Sequence, residues 1–395
     1  MATYRIEGED WPSDHPQLQD VLRKAYERKL RPACLCLPPF PAMYLVQYQG
    51  RILAKRMPNT GGHHASACES YEPPAELSGL GQVLGSAIQE NVDDGQVLLK
   101  FDFSLKKLGA KTAPEPSGVV ADSVKTESSK LTLLATLHYL WDQAGFTRWS
   151  PAMENKRHWG VVRKYLLEAA ADKATKSEPL SDILFIPESF QAERKEAIAQ
   201  ARRVFMSRFA AQNKSARKLM LMIGEVKDMG AARYGYKITL KHLPDCALFL
   251  DEKSFNRFTK RYALELGLWT SVENSHLMAI ATVSVDAAGV CHLEEIALMP
   301  VTERWIPFEN ADERALLDKL STSGRRFTKG LRYNLGTHKP LAVAVLQDTA
   351  PKPTALYISH GVPDYQTELQ ELIRDSELAS WIWDPNTQAL DALPA

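Results

Sequence analysis

Two short clusters of cysteine and histidine bracket a stretch that reads as a β-hairpin, and nothing else in the chain constrains its folding as much. Cys34-Leu35-Cys36 precedes the stretch and Gly62-His63-His64-Ala65-Ser66-Ala67-Cys68 follows it. Between them, residues 43–48 (MYLVQY) and 51–57 (RILAKRM) have strand character and are joined by Gln49-Gly50, where glycine supplies the positive φ of a tight turn. A hairpin starts and ends at the same place, so the two clusters converge. Zinc takes four soft or borderline ligands in a tetrahedron, and Cys34, Cys36, His64 and Cys68 satisfy it with no position left for water. This is the donor set of a closed, structural Zn(2+) site. His63 and His64 cannot both join three cysteines around one four-coordinate ion, and the spacing of His64 from Cys68 favours His64. The alternative is three ordinary thiols beside incidental histidines, because Cys-x-Cys is tighter than the usual zinc knuckle.

The five cysteines are few and odd in number for 395 residues, which reads as metal binding rather than a disulfide framework. Met1 to Trp11 is polar and acidic where a secretory signal needs a basic head and an apolar run, so a cytoplasmic location is expected. No stretch approaches eighteen consecutive apolar residues, so no membrane partner is expected.

Periodicity divides the chain further. Residues 16–29 place Leu18, Val21, Leu22 and Tyr26 at helical spacing, and residues 97–105 alternate like a half-buried strand that closes a first domain. Residues 109–130 hold Pro, Gly, Ser and Thr with no aromatic residue, the composition of a flexible linker. Helical spacing returns over 131–146, ended by Gly145, and over 159–171, a pair that fits a helix-turn-helix or winged helix. Beyond residue 180 helices and strands mix: a helix at 189–212, a strand at 219–226, a long hairpin at 277–298, a helix at 309–320, strands at 341–346 and 355–358, and a helix at 365–374. The expected fold is α+β and multidomain. It comprises a zinc-binding β-hairpin module (1–108), the linker (109–130), a helical winged-helix-like segment (131–216) and a C-terminal mixed α/β domain (217–395).

Forty-eight basic and forty-eight acidic residues cancel, so any polyanion-binding surface has to be local. Residues 131–220 hold fifteen Lys and Arg against nine Asp and Glu, whereas 334–395 hold three against eight. Arg148, Lys156, Arg157, Arg163 and Lys164, interleaved with tryptophans, are candidate phosphate contacts, as are Arg325, Arg326, Lys329 and Arg332. The competing reading is a solvated helical face over buried tryptophans.

The order of elements in the last domain is suggestive of restriction-endonuclease-type nucleases. These use a helix glutamate, an aspartate on one strand and Glu-x-Lys on the next to hold a divalent metal at a phosphodiester. Glu309 and Glu313 fall on the helix, but the strands 341–346 and 355–359 carry neither the carboxylates nor the lysine, and only Asp348, past the first strand, can substitute. A degenerate, non-cleaving version of that fold, an active nuclease with a rearranged site built from Glu309, Glu313 and Asp348, and an unrelated sheet domain all remain open. No phosphate-binding P-loop, Gly-x-Ser-x-Gly elbow or His-Glu-x-x-His helix is present, which removes support for nucleotide hydrolysis, serine hydrolase and zincin chemistry. Cys246 and Cys291 sit alone in apolar stretches and read as core residues.

Several segments resemble a known family: Arg31-Pro32, Lys55-Arg56-Met57-Pro58, Gly61-Gly62, Ser70-Tyr71-Glu72-Pro73-Pro74, Gly224-Glu225-Val226-Lys227, Leu240-Lys241-His242-Leu243-Pro244 and Trp305-Ile306-Pro307-Phe308-Glu309. With the cysteine and histidine clusters, they are similar almost end to end to an uncharacterised domain-of-unknown-function family of bacterial plasmids and integrative conjugative elements. That resemblance implies a bacterial cytoplasm and a mobile-element setting, and no activity. A looser likeness to competence-associated CoiA-like proteins rests on order of elements alone. The expected function is a DNA-associated protein without catalysis of its own. The rivals are the divalent-metal nuclease and a protein-interaction factor of the same mobile element's transfer or maintenance machinery.

Overall fold

A computed structural model describes residues 2–91, 95–108, 129–210, 216–390 and 392–394. The N-terminal elements are β1 (Thr3–Ile6), β2 (Glu9–Pro12), α1 (Leu18–Glu27), β3 (Ala33–Cys34), β4 (Met43–Tyr48) and β5 (Arg51–Arg56). β1 lies between β2 and β3, and β4 pairs with β5 down to Tyr48 opposite Arg51. Gln49 and Gly50 have φ of 45° and 76°, the two positive values that a two-residue turn matched to strand twist requires. Leu18, Leu22 and Ala25 share one face of α1 and close a small core with Ile6 and Ile52. The hairpin docks on the rest of the chain through buried polar contacts. Tyr44 Oη donates to Asp172 (2.6 Å), whose carboxylate also takes Lys55 (2.9 Å) and Lys173 (2.8 Å).

The next elements are α2 (Leu80–Val83), β6 (Ile88–Glu90), β7 (Val97–Leu99), β8 (Lys106–Leu108), α3 (Leu133–Gln143), β9 (Arg148–Trp149), α4 (Trp159–Ala170), β10 (Lys173–Ala174), β11 (Leu184–Phe185), α5 (Lys195–Met206) and β12 (Ala216–Lys218). The single strand expected over 97–105 is broken: β7 stops at Leu99, and Phe101 and Phe103 stack on each other with ring centroids 4.6 Å apart. Most of the expected linker, residues 109–128, lies outside the described residues. Pairing nevertheless crosses it, because β7 runs parallel to β10 and β8 antiparallel to β12.

α3 and α4 touch, as a helix-turn-helix needs, yet α3 is no surface helix. Leu133, Ala135 and every residue from Thr136 to Trp141 are buried, and Trp141 Nε1 donates to the Trp305 carbonyl (3.1 Å). A helix that is apolar all round belongs in a core, and this one packs between α4 and the strands that follow.

Those strands are β13 (Met220–Ala231), β14 (Tyr236–Leu240), β15 (Leu243–Leu250), β16 (His276–Val285) and β17 (Cys291–Val301), with α6 (Glu252–Arg261) and α7 (Ala263–Ser271) between β15 and β16. β13, β14 and β15 form an antiparallel meander, β15 runs parallel to β17, β17 pairs antiparallel with β16, and β16 returns antiparallel to β13. The ring closes in the order first-second-third-fifth-fourth, which is the Greek-key topology of an OB-type barrel. Ile223, Ile238, Leu240, Leu248, Ile280 and Leu298 are sealed from solvent. Gly224 leaves room for the Leu240 side chain of β14, since a Cβ there would stand 2.6 Å from Leu240 Cδ1.

The chain ends with α8 (Ala311–Thr322), β18 (Phe327–Lys329), β19 (Ala344–Leu346), β20 (Thr354–Ile358), α9 (Pro363–Arg374) and β21 (Ala379–Trp383). β18, β19 and β20 are an antiparallel meander, and β21 lies parallel to β20. Alternation along the strands divides the burial: Ala344, Leu346, Leu356 and Ile358 meet Leu316, Leu317 and Leu320 of α8, while Val345, Ala355 and Tyr357 meet Leu369 of α9. β9 joins the free edge of β18, so the central segment is stitched into the last sheet and pairing crosses residue 216 as well. Among the described residues, no helix is long and apolar enough to cross a membrane.

Candidate metal centre and basic surfaces

Cys34 ends β3, where its own N–H donates to the Pro41 carbonyl (2.8 Å) and that of Leu35 to Thr3 (3.0 Å). After the hairpin a 3-10 turn, Gly61–His63, delivers His64 inward while His63 stays exposed. Cys34 Sγ lies 3.8 Å from Cys68 Sγ, and His64 Nδ1 lies 3.3 Å from Cys36 Sγ and 3.7 Å from Cys68 Sγ. All four ligand atoms fall within 4.8 Å of one another, so the cluster can hold a metal ion. A tetrahedron with metal–sulfur bonds of about 2.3 Å has sulfur–sulfur edges of about 3.8 Å. Cys34 and Cys68 thus already stand at the spacing of one tetrahedral edge.

Electrostatics point the same way. Cys68 is lowered to about 3 by the hydrogen bond from Cys34 and those from His64 and the Ser70 N–H, whereas sharing a proton with Cys68 and burial push Cys34 up. A cation bound by the two sulfurs would take the place of that shared proton. His64 is 2% exposed, and its Nε2 is enclosed without a partner among the described residues, leaving Nδ1 as the nitrogen turned to the sulfurs.

The candidate phosphate contacts divide sharply. Lys156 and Lys164 are exposed, the latter 4.0 Å from Glu168. Arg157 instead points into the protein, donating to the carbonyls of Phe146 (3.3 Å), Arg304 (3.1 Å), Gly145 (3.2 Å) and Arg148, and burial lowers it to about 10. Arg163 donates to the Ile186 carbonyl (3.0 Å), and Arg148 faces Glu72 at 3.6 Å. In the second cluster, Arg325 binds Asp348 (2.9 Å), Arg326 reaches the Ala67 carbonyl (3.4 Å), Arg332 pairs with Glu309, and Lys329 is fully buried. These cations tie loops together.

Lys329 Nζ lies 3.2 Å from Glu313 Oε2, with the two side chains 1% and 3% exposed, and donates to the Gly330 carbonyl (2.6 Å). Glu313 also accepts the Glu309 N–H (3.0 Å). Burial and neighbouring Glu313 push Glu309 up. Asp348 is elsewhere. Lys329 pairs with Ala344, but Phe327 pairs with Leu346, so Asp348 lies past the opposite end of the β18–β19 ladder. Among the described residues, the Cys/His cluster is the only group of three or more potential metal ligands; Glu309, Glu313 and Asp348 form none.

Two arrangements escaped the sequence reading. Cys246 and Cys291 are not isolated but meet across β15 and β17 with sulfurs 3.4 Å apart. Glu225 is buried and accepts from Lys241 (3.0 Å) beside His276 Nδ1 (2.7 Å), while the His276 ring stacks on Trp305 at 4.2 Å. Burial pushes Glu225 up, and His276 with Lys241 outweighs it, leaving the carboxyl below its ordinary range. Segments 224–227, 240–244 and 305–309 meet here, a convergence that only the barrel's closure produces.

The fold and the four-ligand cluster define a mixed α+β protein with a potential metal site. A family model described as "Protein of unknown function (DUF1173)" matches residues 4–386, and the chain belongs to that family. No curated protein and no solved structure matches the chain.

Proposed function

We propose that the chain is a nucleic-acid-associated protein with no phosphodiester cleavage of its own, its N-terminal module held by a structural zinc ion on Cys34, Cys36, His64 and Cys68. One observation carries the reading. The order α8-β18-β19-β20-α9-β21, with β21 parallel to β20, supports a likeness to the helix–meander–helix–strand order expected of restriction-endonuclease-type nucleases, while its helix glutamate Glu313 is held in a buried ion pair with Lys329. Metal-assisted cleavage needs carboxylates converging on an open ion. Here Glu313 is spent on Lys329 and on the Glu309 N–H, and Asp348 lies past the other end of the ladder.

Zinc suits the cluster because three cysteines and a histidine within 4.8 Å of one another supply four ligands and leave no open position, so the ion would stabilise and not catalyse. Lys156 and Lys164, the two candidate cations facing solvent, are the proposed duplex contacts. A role on a bacterial mobile element accords with this reading.

The test is incubation of the purified protein with linear and supercoiled DNA in magnesium and in manganese. No cleavage is expected. Cleavage that disappears in both Glu313→Gln and Asp348→Asn would overturn the reading in favour of a nuclease.

A further inference from the structure

We propose that the OB-type barrel carries a docking face for single-stranded nucleic acid, built on strands β14 and β15 and the loop between β13 and β14. The proposal rests on the nucleic-acid reading above and names the substrate form and the surface.

Strand register sets out the face. Gly230 of β13 pairs with Lys237 of β14, Lys237 with Phe249 of β15, and Phe249 with His292 of β17. The four residues thus form one continuous row across four strands. The row lies outside the barrel, because the flanking Ile238, Leu248, Leu250 and Cys291 are all buried. Phe249 is only half-buried and joins none of the apolar cores, unlike its neighbours Leu248 and Leu250. A Cβ placed on Gly230 would meet nothing within 4 Å, so the space at that end of the row is open.

The β13–β14 loop begins one residue pair beyond Gly230 and Lys237, after Ala231 and Tyr236. Tyr234 there is 80% exposed, the most exposed large apolar side chain among the described residues, and the Arg233 guanidinium lies 5.4 Å from its ring centroid. Neither Arg233 nor Lys237 has an ion pair among the described residues. Asp228 stands in the next row, opposite Thr239, and His292 bonds Asp286 (3.1 Å) in the β16–β17 loop. Unpaired cations beside one exposed and one half-buried aromatic ring are what a flexible polyanion with stacking bases requires, and a protein partner gains less from them. Duplex DNA keeps its bases inside the helix and offers these rings nothing to stack on. Barrels of this topology bind ligands across these same strands and loops.

The experiment is fluorescence anisotropy of the full-length protein with a labelled oligothymidylate and with a duplex of equal length, at low and moderate salt. Tyr234→Ala and Phe249→Ala are each expected to weaken oligothymidylate binding about 5- to 150-fold while leaving duplex binding unchanged. Lys237→Glu, which removes no ring, should weaken it and flatten its salt dependence. Unchanged thermal unfolding of the variants excludes misfolding, since all three side chains lie outside the core. Oligothymidylate binding indifferent to all three changes overturns the proposal while leaving duplex association standing. Failure to bind either polynucleotide overturns the nucleic-acid reading itself, and this face with it.

Discussion

Replacing Glu313 by alanine removes one half of an ion pair that has almost no access to water. Lys329 and Glu313 are 1% and 3% exposed with nitrogen and oxygen 3.2 Å apart, so the substitution leaves an ammonium in the core with the Gly330 carbonyl as its remaining hydrogen-bond partner. Orphaning one member of a buried pair costs about 3–5 kcal/mol, and the lost bond to the Glu309 N–H adds about 1 kcal/mol. Urea unfolding followed by tryptophan fluorescence reads this directly, because Trp149 and Trp383 sit in the adjoining core. The double change Glu313→Gln with Lys329→Met removes both charges and is expected to recover most of the loss. A Glu313→Ala protein within about 1 kcal/mol of wild type would refute the structural role. So would a double variant no more stable than the single one.

Cys36→Ser is expected to abolish stoichiometric zinc in elemental analysis and to expose residues 1–74 to limited proteolysis while the remainder stays protected; full zinc content in that variant would remove Cys36 from the ligand set. His138 is buried with Nδ1 accepting the Tyr333 N–H (3.1 Å), and burial followed by Lys329 and Arg332 lowers it from 6.5 to about 3. Its folded pKa is below its unfolded one, so its contribution is complete above about 6.5 and falls by about 1.4 kcal/mol per pH unit below that, until about 3. Asp142, raised from 3.8 to about 6 by burial and Glu72, gives the opposite trend, so the diagnostic is the difference in pH slope between wild type and His138→Gln; identical slopes between pH 6.5 and 5 contradict it. Arg157→Ala should destabilise the fold by about 2–4 kcal/mol as four carbonyls lose a donor, whereas Lys156→Ala with Lys164→Ala should lower duplex affinity at unchanged stability.

Elements whose signal is local were legible in the residues. α1, the β4–β5 hairpin, α3, α4, α8 and α9 all lie where apolar spacing and turn residues place them, and the four-ligand cluster follows from that hairpin. The barrel was not legible, because its closure depends on pairings far apart in sequence: Met220 with Val283, and Leu248 with Cys291 in parallel. β13 itself was legible as an apolar run at 219–226, but its first seven residues are buried on both faces and show no alternation that would say which strands flank it. The basic clusters illustrate a further limit. Arg157 and Lys329 are indistinguishable from Lys156 by composition, and only the fold reveals that the first two face inward. Cys246 and Cys291 likewise read as isolated until β15 and β17 come together.

The most direct test of the account is the salt dependence of binding to a short random-sequence duplex. Phosphate contacts release counterions, so log affinity is expected to fall linearly with log salt between about 50 and 200 mM, with little difference between sequences. Lys156→Ala with Lys164→Ala should reduce the slope by about 2. Absence of binding at about 50 mM salt, where counterion release favours association most, would contradict the account.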